Sequence, residues 1–167
     1  KETIKRILAS NISSCSIVLG HDYNKILKEL DSLNLNIIYN AYYKEGMSSS
    51  IREGVKSLKQ NTKAVMICLG DMPLIKTSTY NQLLANFYID NTKKILVPFY
   101  NNLRGNPIIF SHHYFNQLSK LTGDYGAKEI INKNKDFAIN VNVEDKGIAY
   151  DFDTKKDYYD YLNGTDE

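Results

Sequence analysis

Acids and small polar residues gathered at the ends of apolar runs are where this chain could do chemistry. Asp71 follows the uninterrupted apolar run of residues 64–69 and Gly70. Pro73, close behind, lacks an N–H, so any strand must leave its sheet there. An apolar run of this length fits a strand buried on both faces, and open α/β sheets bind ligands beyond the carboxyl ends of such strands. A carboxylate in that place suits a magnesium ion on a phosphate. It equally suits a turn, and the residues alone leave both readings open.

Four further clusters fall at the ends of elements. Gly46-Met47-Ser48-Ser49-Ser50-Ile51-Arg52 sets three hydroxyls and free N–H groups at the start of a helical pattern. That is a seat for phosphate, ribose or base oxygens, or plain N-capping. Gly105-Asn106-Pro107 joins a residue that lets backbone approach a ligand to one that both donates and accepts; an ordinary turn or bulge reads the same way. Asp151 and Asp153 flank Phe152. On a strand, both carboxylates would share a face, where like charges need a cation or water between them. Asp153-Thr154 also suits the cap of a following helix, and Asp124 is another acid at a helix start, with capping as its plain alternative. His21 directly follows an apolar run and could reach a ligand. His112 and His113 read as surface residues, and Tyr158, Tyr159 and Tyr161 as partial cover for a core.

The elements that must carry these residues alternate. Spacing predicts helices over 1–10, 23–33, 47–58, 78–88, 112–121, 125–132 and 154–162. It predicts strands over 15–19, 35–39, 64–69, 94–99, 137–143 and 147–153, and one over 103–110 broken at 105–107, with Asn101-Asn102 as a turn and 163–167 as a frayed tail. The expected fold is α/β: a Rossmann-like, mostly parallel central sheet flanked by helices, with an antiparallel excursion at one edge. No linker, repeat or composition shift divides residues 1–167, which are expected to form one domain.

Bulk properties narrow the function. Twenty-one basic residues against 19 acidic ones give a formal charge of +2, which offers no support for nucleic acid or an anionic membrane as partner. No apolar run reaches the ~20 residues of a membrane span. Cys15 and Cys68 lie in apolar runs and read as reduced core residues of a cytoplasmic protein.

In order along the chain, 46–55, 69–74, 105–110, 122–127 and 151–154 resemble the motifs of the MobA-like nucleotidyltransferases. They are most similar to the molybdenum cofactor cytidylyltransferase branch. Gly-Met-Ser-Ser-Ser-Ile-Arg, Leu-Gly-Asp-Met-Pro and Gly-Asp-Tyr-Gly-Ala are each weak alone, but five in order over nearly the whole chain are specific. The resemblance implies transfer of a nucleoside monophosphate from an NTP, CTP favoured, to a phosphorylated acceptor of molybdopterin type, with pyrophosphate released. It implies Mg²⁺ held by Asp71 and Asp151, with Asp153 beside them as a third catalytic acid. It also implies a nucleotide wall of Gly46, Ser48, Ser49, Ser50, Arg52 and Gly70, and an acceptor side with Asn106 and Asp124. An ionised phosphate acceptor needs no protein nucleophile, so positioning and electrostatics suffice.

The family's glycine-rich triphosphate loop, which would precede Lys1, does not occur in this sequence, which opens within a helical pattern. The expectation is that a segment has been lost or that the copy is degenerate. Weak catalysis and exposed sheet edges prone to self-association would follow. A sugar-phosphate-type transferase and a non-catalytic nucleotide- or cofactor-binding module are the alternatives, with a molybdoenzyme as a possible protein partner.

Overall fold

A computed structural model describes residues 1–30, 33, 35–88 and 94–163. Helices α1 (Glu2–Leu8), α2 (Tyr23–Leu30), α3 (Met47–Lys56) and α4 (Thr77–Tyr88) alternate with strands β1 (Ser16–Leu19), β2 (Asn36–Tyr39) and β3 (Ala64–Ile67). Three strands follow, β4 (Ile95–Tyr100), β5 (Leu103–Arg104) and β6 (Ile108–Ser111). Then come α5 (Phe115–Leu118), α6 (Lys128–Lys133), β7 (Ala138–Asn142) and α7 (Lys155–Leu162). The expected end of the second helix, at 31 and 32, and the tail at 164–167 lie outside the described residues.

The sheet corrects the expectation of a mostly parallel arrangement. β1 and β2 form a separate parallel pair. In the five-stranded sheet β7 runs parallel to β4, but β6 pairs antiparallel with both β3 and β4, and β5 antiparallel with β4. The antiparallel excursion is therefore interior. Its cause is hydrophobicity: every residue of Ile108-Ile109-Phe110-Ser111 is buried, whereas all four residues of β3 are half-buried. Among the described residues β3 pairs only with β6, so it is an edge strand and not the expected centre. Asn101 and Asn102, both at positive φ (47° and 63°), make the two-residue hairpin that sends β5 back along β4.

Period-two alternation loads both sheet faces. Ile95, Val97 and Phe110 meet Ile51 and Val55 of α3, Leu118 of α5 and Ile130 of α6. Leu96, Ile109 and Val141 meet Ile7 of α1 and Tyr80, Leu83 and Phe87 of α4.

Residues 147–153 are not a strand. Lys146–Ala149 form a 3-10 turn begun by the Asp145 carboxylate, which accepts from the Gly147 amide. The helix expected over 112–121 is a 3-10 turn, His112–Tyr114, leading into the four-residue α5. The one expected over 125–132 starts three residues late, after the positive-φ Gly126.

Candidate active site

The loop after β3 is clamped from several elements. Buried Thr3 of α1 donates its hydroxyl to Gly70 O at 2.9 Å, and Arg6 Nη1 donates to Leu74 O at 3.0 Å and Ile75 O at 3.4 Å. Asp145, 3% exposed, accepts from the Lys76 amide at 2.8 Å and the Thr79 hydroxyl at 2.6 Å, satisfying the first turn of α4. Met72 and Ile75 plug the loop into the core. A Cβ on Gly70 would meet nothing within 4 Å, so open space adjoins the chain just before Asp71.

Asp71 O accepts from the Phe152 amide at 2.9 Å, which draws the two later acids to the first. The Phe152 ring packs against Tyr158 and Tyr161 of α7, at 5.9 and 5.5 Å between centroids, while Asp151 and Asp153 stay exposed. Burial pushes the Asp71 carboxyl above the usual carboxylate range, and the negative charges of Asp151 and Asp153 add to that against a hydrogen bond from its own amide. Asp71 Oδ1 is buried and has no protein partner among the described residues. A buried, negative, partnerless oxygen is costly unless a cation or donor meets it. No group of three or more His, Cys, Asp or Glu side chains is arranged to hold a metal among the described residues. A divalent ion here would thus take few protein ligands, with water and phosphate oxygens completing its shell, as magnesium commonly does.

Asn106 is carried on the same scaffold. Its amide donates to Ile148 O at 2.9 Å, and a Cβ on Gly105 would stand 2.2 Å from that same oxygen, so only glycine fits. The turn at 105–107 therefore rests on the 3-10 turn just before Asp151. The Asn106 carboxamide makes no hydrogen bond with a described residue, which leaves it available to a ligand.

The serine segment forms a second cluster. Gly46 has φ +91°, and Asp124 Oδ1 accepts from the Met47 amide at 2.9 Å, lying 2.6 Å from where a Gly46 Cβ would be. Ser48 and Ser49 are wholly buried, their hydroxyls donating to Thr122 O and Gly46 O. Buried Asn40 Nδ2 donates to the hydroxyls of Ser49 and Ser50 at 2.8 and 3.1 Å. Arg52 donates from Nη1 to Leu121 O at 2.7 Å and pairs with Glu45. Asp124 thus lies with Gly46 at the start of α3, and no hydrogen bond between described residues links this cluster to Asp71. His21 leans on the Tyr43 ring, 5.8 Å away, at the end of β1. Thr3, Arg6, Asn40 and Asp145 escaped the sequence reading, since nothing local marks a side chain whose partner lies in another element.

Residues 1–137 match the profile of the MobA-like NTP transferase domain. The chain belongs to the MobA-like NTP transferase family. No curated protein matches it. Among solved structures, this MobA-like chain is similar to Rv0371c of Mycobacterium tuberculosis, with 21% identity, TM-score 0.80, and 97% of this chain and 82% of that one covered. It is also similar to a nucleotidyl transferase of Methanothermobacter (15% identity, TM-score 0.80, 99% and 80% covered). A third is the 4-diphosphocytidyl-2C-methyl-D-erythritol synthase of Anaerococcus prevotii (14% identity, TM-score 0.74, 97% and 84% covered). At such identities these likenesses speak to the fold, a mixed α/β nucleotidyltransferase architecture; the family rests on the profile.

Proposed function

We propose that this MobA-like NTP transferase moves a nucleoside monophosphate from an NTP, CTP favoured, to a phosphorylated acceptor of molybdopterin type, releasing pyrophosphate. The reading takes residues 1–167 as one domain of Rossmann-like nucleotidyltransferase type. The observation that carries it is Asp71, with its buried, partnerless carboxylate oxygen and two further acids drawn up to it. Asp71 and Asp151 would hold a magnesium ion, with Asp153 adding negative charge beside them. A mycobacterial neighbour solved in complex with manganese supports a divalent ion. When bound, the ion would neutralise charge that builds on the phosphates.

The chain's own contribution is position. Thr3, Arg6 and Asp145 keep the Asp71 loop from shifting, and Gly70 leaves room for a phosphate or ribose. Gly46 and Ser50 face the nucleotide, while Ser48, Ser49 and Arg52 hold that wall from inside. Asp124 fixes the start of α3, and Asn106 offers the acceptor both a donor and an acceptor. No described helix is long and apolar enough to cross a membrane, and Cys15 and Cys68 are both free thiols, which suits a cytoplasmic setting.

The test uses purified protein, with any residues the gene encodes ahead of Lys1, given CTP or GTP, molybdopterin and Mg²⁺. Pyrophosphate release is expected, and none with either nucleotide removes the reading. The likeness to the methylerythritol synthase favours a second reading, a phosphorylated alcohol as acceptor. A panel of acceptors decides between the two.

A further inference from the structure

Residues 145–152 lie along the Asp71 loop in the opposite direction and are tied to it at both ends. At one end Asp145 accepts from the Lys76 amide and the Thr79 hydroxyl; at the other the Phe152 amide donates to Asp71 O. Between these ties the two backbones touch, since a Cβ on Gly147 would stand 2.7 Å from the Leu74 carbonyl carbon and oxygen. Ile148, wholly buried in one cluster with Met72 and Ile75, seats the middle of the segment in the core. Its carbonyl accepts from the Asn106 amide at 2.9 Å, so the turn at 105–107 rides on the same segment.

Asp145 reaches both sides of this contact. Oδ2 takes the two donors at the start of α4, and Oδ1 takes the Gly147 amide at 3.0 Å. All three partners can donate, and the two backbone amides can do nothing else. The side chain here must therefore accept on both oxygens. Asparagine would turn its NH2 toward either the Lys76 or the Gly147 amide, and with only 3% of the residue exposed that clash is shut away from water. Plain capping of α4 needs Oδ2 alone. The second oxygen is spent on the turn that leads to Asp151, which capping of α4 does not explain.

We infer that Asp145 is a positioning residue whose two oxygens set where Asp151 and Asn106 stand relative to Asp71. Its bearing on catalysis rests on the proposed transfer reaction, in which those residues line the metal and acceptor side. The acceptor side is then carried by the Asp71 loop as one piece, apart from the nucleotide wall at the start of α3. A change at Asp145 should accordingly act on the acceptor and spare the nucleotide.

The test compares Asp145→Asn with the wild type in two ways. Amide exchange reads the joint without any substrate. The Phe152 and Asn106 amides, neither of which touches Asp145, should quicken together by about 5- to 150-fold, the effect of one buried donor left unmet. Met47 and Ser49, at the start of α3, should keep their rates. Quickening confined to Lys76, Thr79 and Gly147 would reduce Asp145 to a local cap and overturn the inference, as would equal quickening at Met47 and Ser49. In pyrophosphate release with CTP and molybdopterin, the acceptor KM should rise and kcat fall while the KM for CTP stays level. A rise in the KM for CTP alone would also overturn it. Should Asp145→Asn not fold, Thr79→Val removes one donor to Oδ2 and keeps the shape. A smaller quickening at Phe152 and Asn106 then supports the joint, and unchanged rates there overturn it. A wild type that releases no pyrophosphate counts against the transfer reaction alone, because the exchange pattern judges the joint separately.

Discussion

Thr3 shows how a single hydroxyl at the start of the chain bears on an acid far along it. Its bond to Gly70 O spans 67 residues and is buried at the Thr3 end. Thr3→Val keeps the shape but removes the bond to exposed Gly70, whose carbonyl water can reach, at a cost of about 0.5–1.5 kcal/mol. A steady-state assay should then show kcat falling more than KM rises, because the clamp bears on the loop that carries Asp71 and not on the serine segment at the start of α3. Thr3→Ser should restore activity, and a rise confined to KM would show that the clamp does not position Asp71.

The cysteines give a pH signature at this same scale. Burial, with Cys15 nearby, pushes the Cys68 thiol up to about 12, and burial alone raises the Cys15 thiol. A raised native pKa favours folding while the thiol is neutral in both states. That advantage is complete below about pH 9 and is lost as pH rises toward 12. Urea midpoints should therefore fall across that window and fall less steeply in Cys68→Ala. Equal slopes in both proteins would show Cys68 to be exposed in solution. Asp71 was legible because an apolar run, a glycine and a proline surround it. Thr3, Asn40 and Asp145 were not, since a buried hydroxyl, amide or carboxylate is distinguished only by a partner that folding brings to it.

At the scale of elements, α7 matters beyond its own stability. Thr154 and Asp157 form a reciprocal capping box, and the hydrogen bonds from Thr154 hold the Asp157 carboxyl below the usual range. The tyrosines of that helix hold Phe152, and Phe152 sits between the two acids that approach Asp71. Thr154→Ala should cost the helix about 0.5–2 kcal/mol. Amide exchange should then quicken through Lys155–Leu162 and at Phe152, where the donor to Asp71 O lies. Exchange that changes in α7 but not at Phe152 would uncouple the helix from the acids. The box should also weaken as pH drops below the ordinary aspartate range and Asp157 takes up its proton.

Helical spacing revealed α3, α4 and α7 nearly to the residue, because each shows a repeating apolar face or a cap. It misjudged residues 147–153, where Ile148, Tyr150 and Phe152 at every second position imitate a strand. Gly147 instead packs against the Leu74–Ile75 backbone, closer than any side chain would allow, and the chain turns.

At the scale of the molecule, the order of elements was readable and the order of strands was not. Apolar runs identify strands one at a time, but which run takes the interior depends on how much each buries. Phe110 and Ile109 of β6 are almost wholly enclosed, and that places an antiparallel strand where a parallel one was expected. The two cores, one on each sheet face, leave the loop after β3 as a rigid shelf for one uncompensated charge. An ionised Asp71 with two like charges close by weakens the fold, in the manner of sites that trade stability for function.

The central claim is that this charge exists to meet a divalent cation. Manganese titration followed by thermal unfolding, on the wild type and on Asp71→Asn, tests it most directly. Without metal, Asn should raise Tm by about 2–4 °C for each kcal/mol relieved. Manganese should stabilise the wild type and leave Asp71→Asn unmoved. Equal stabilisation of both proteins by manganese would contradict the account.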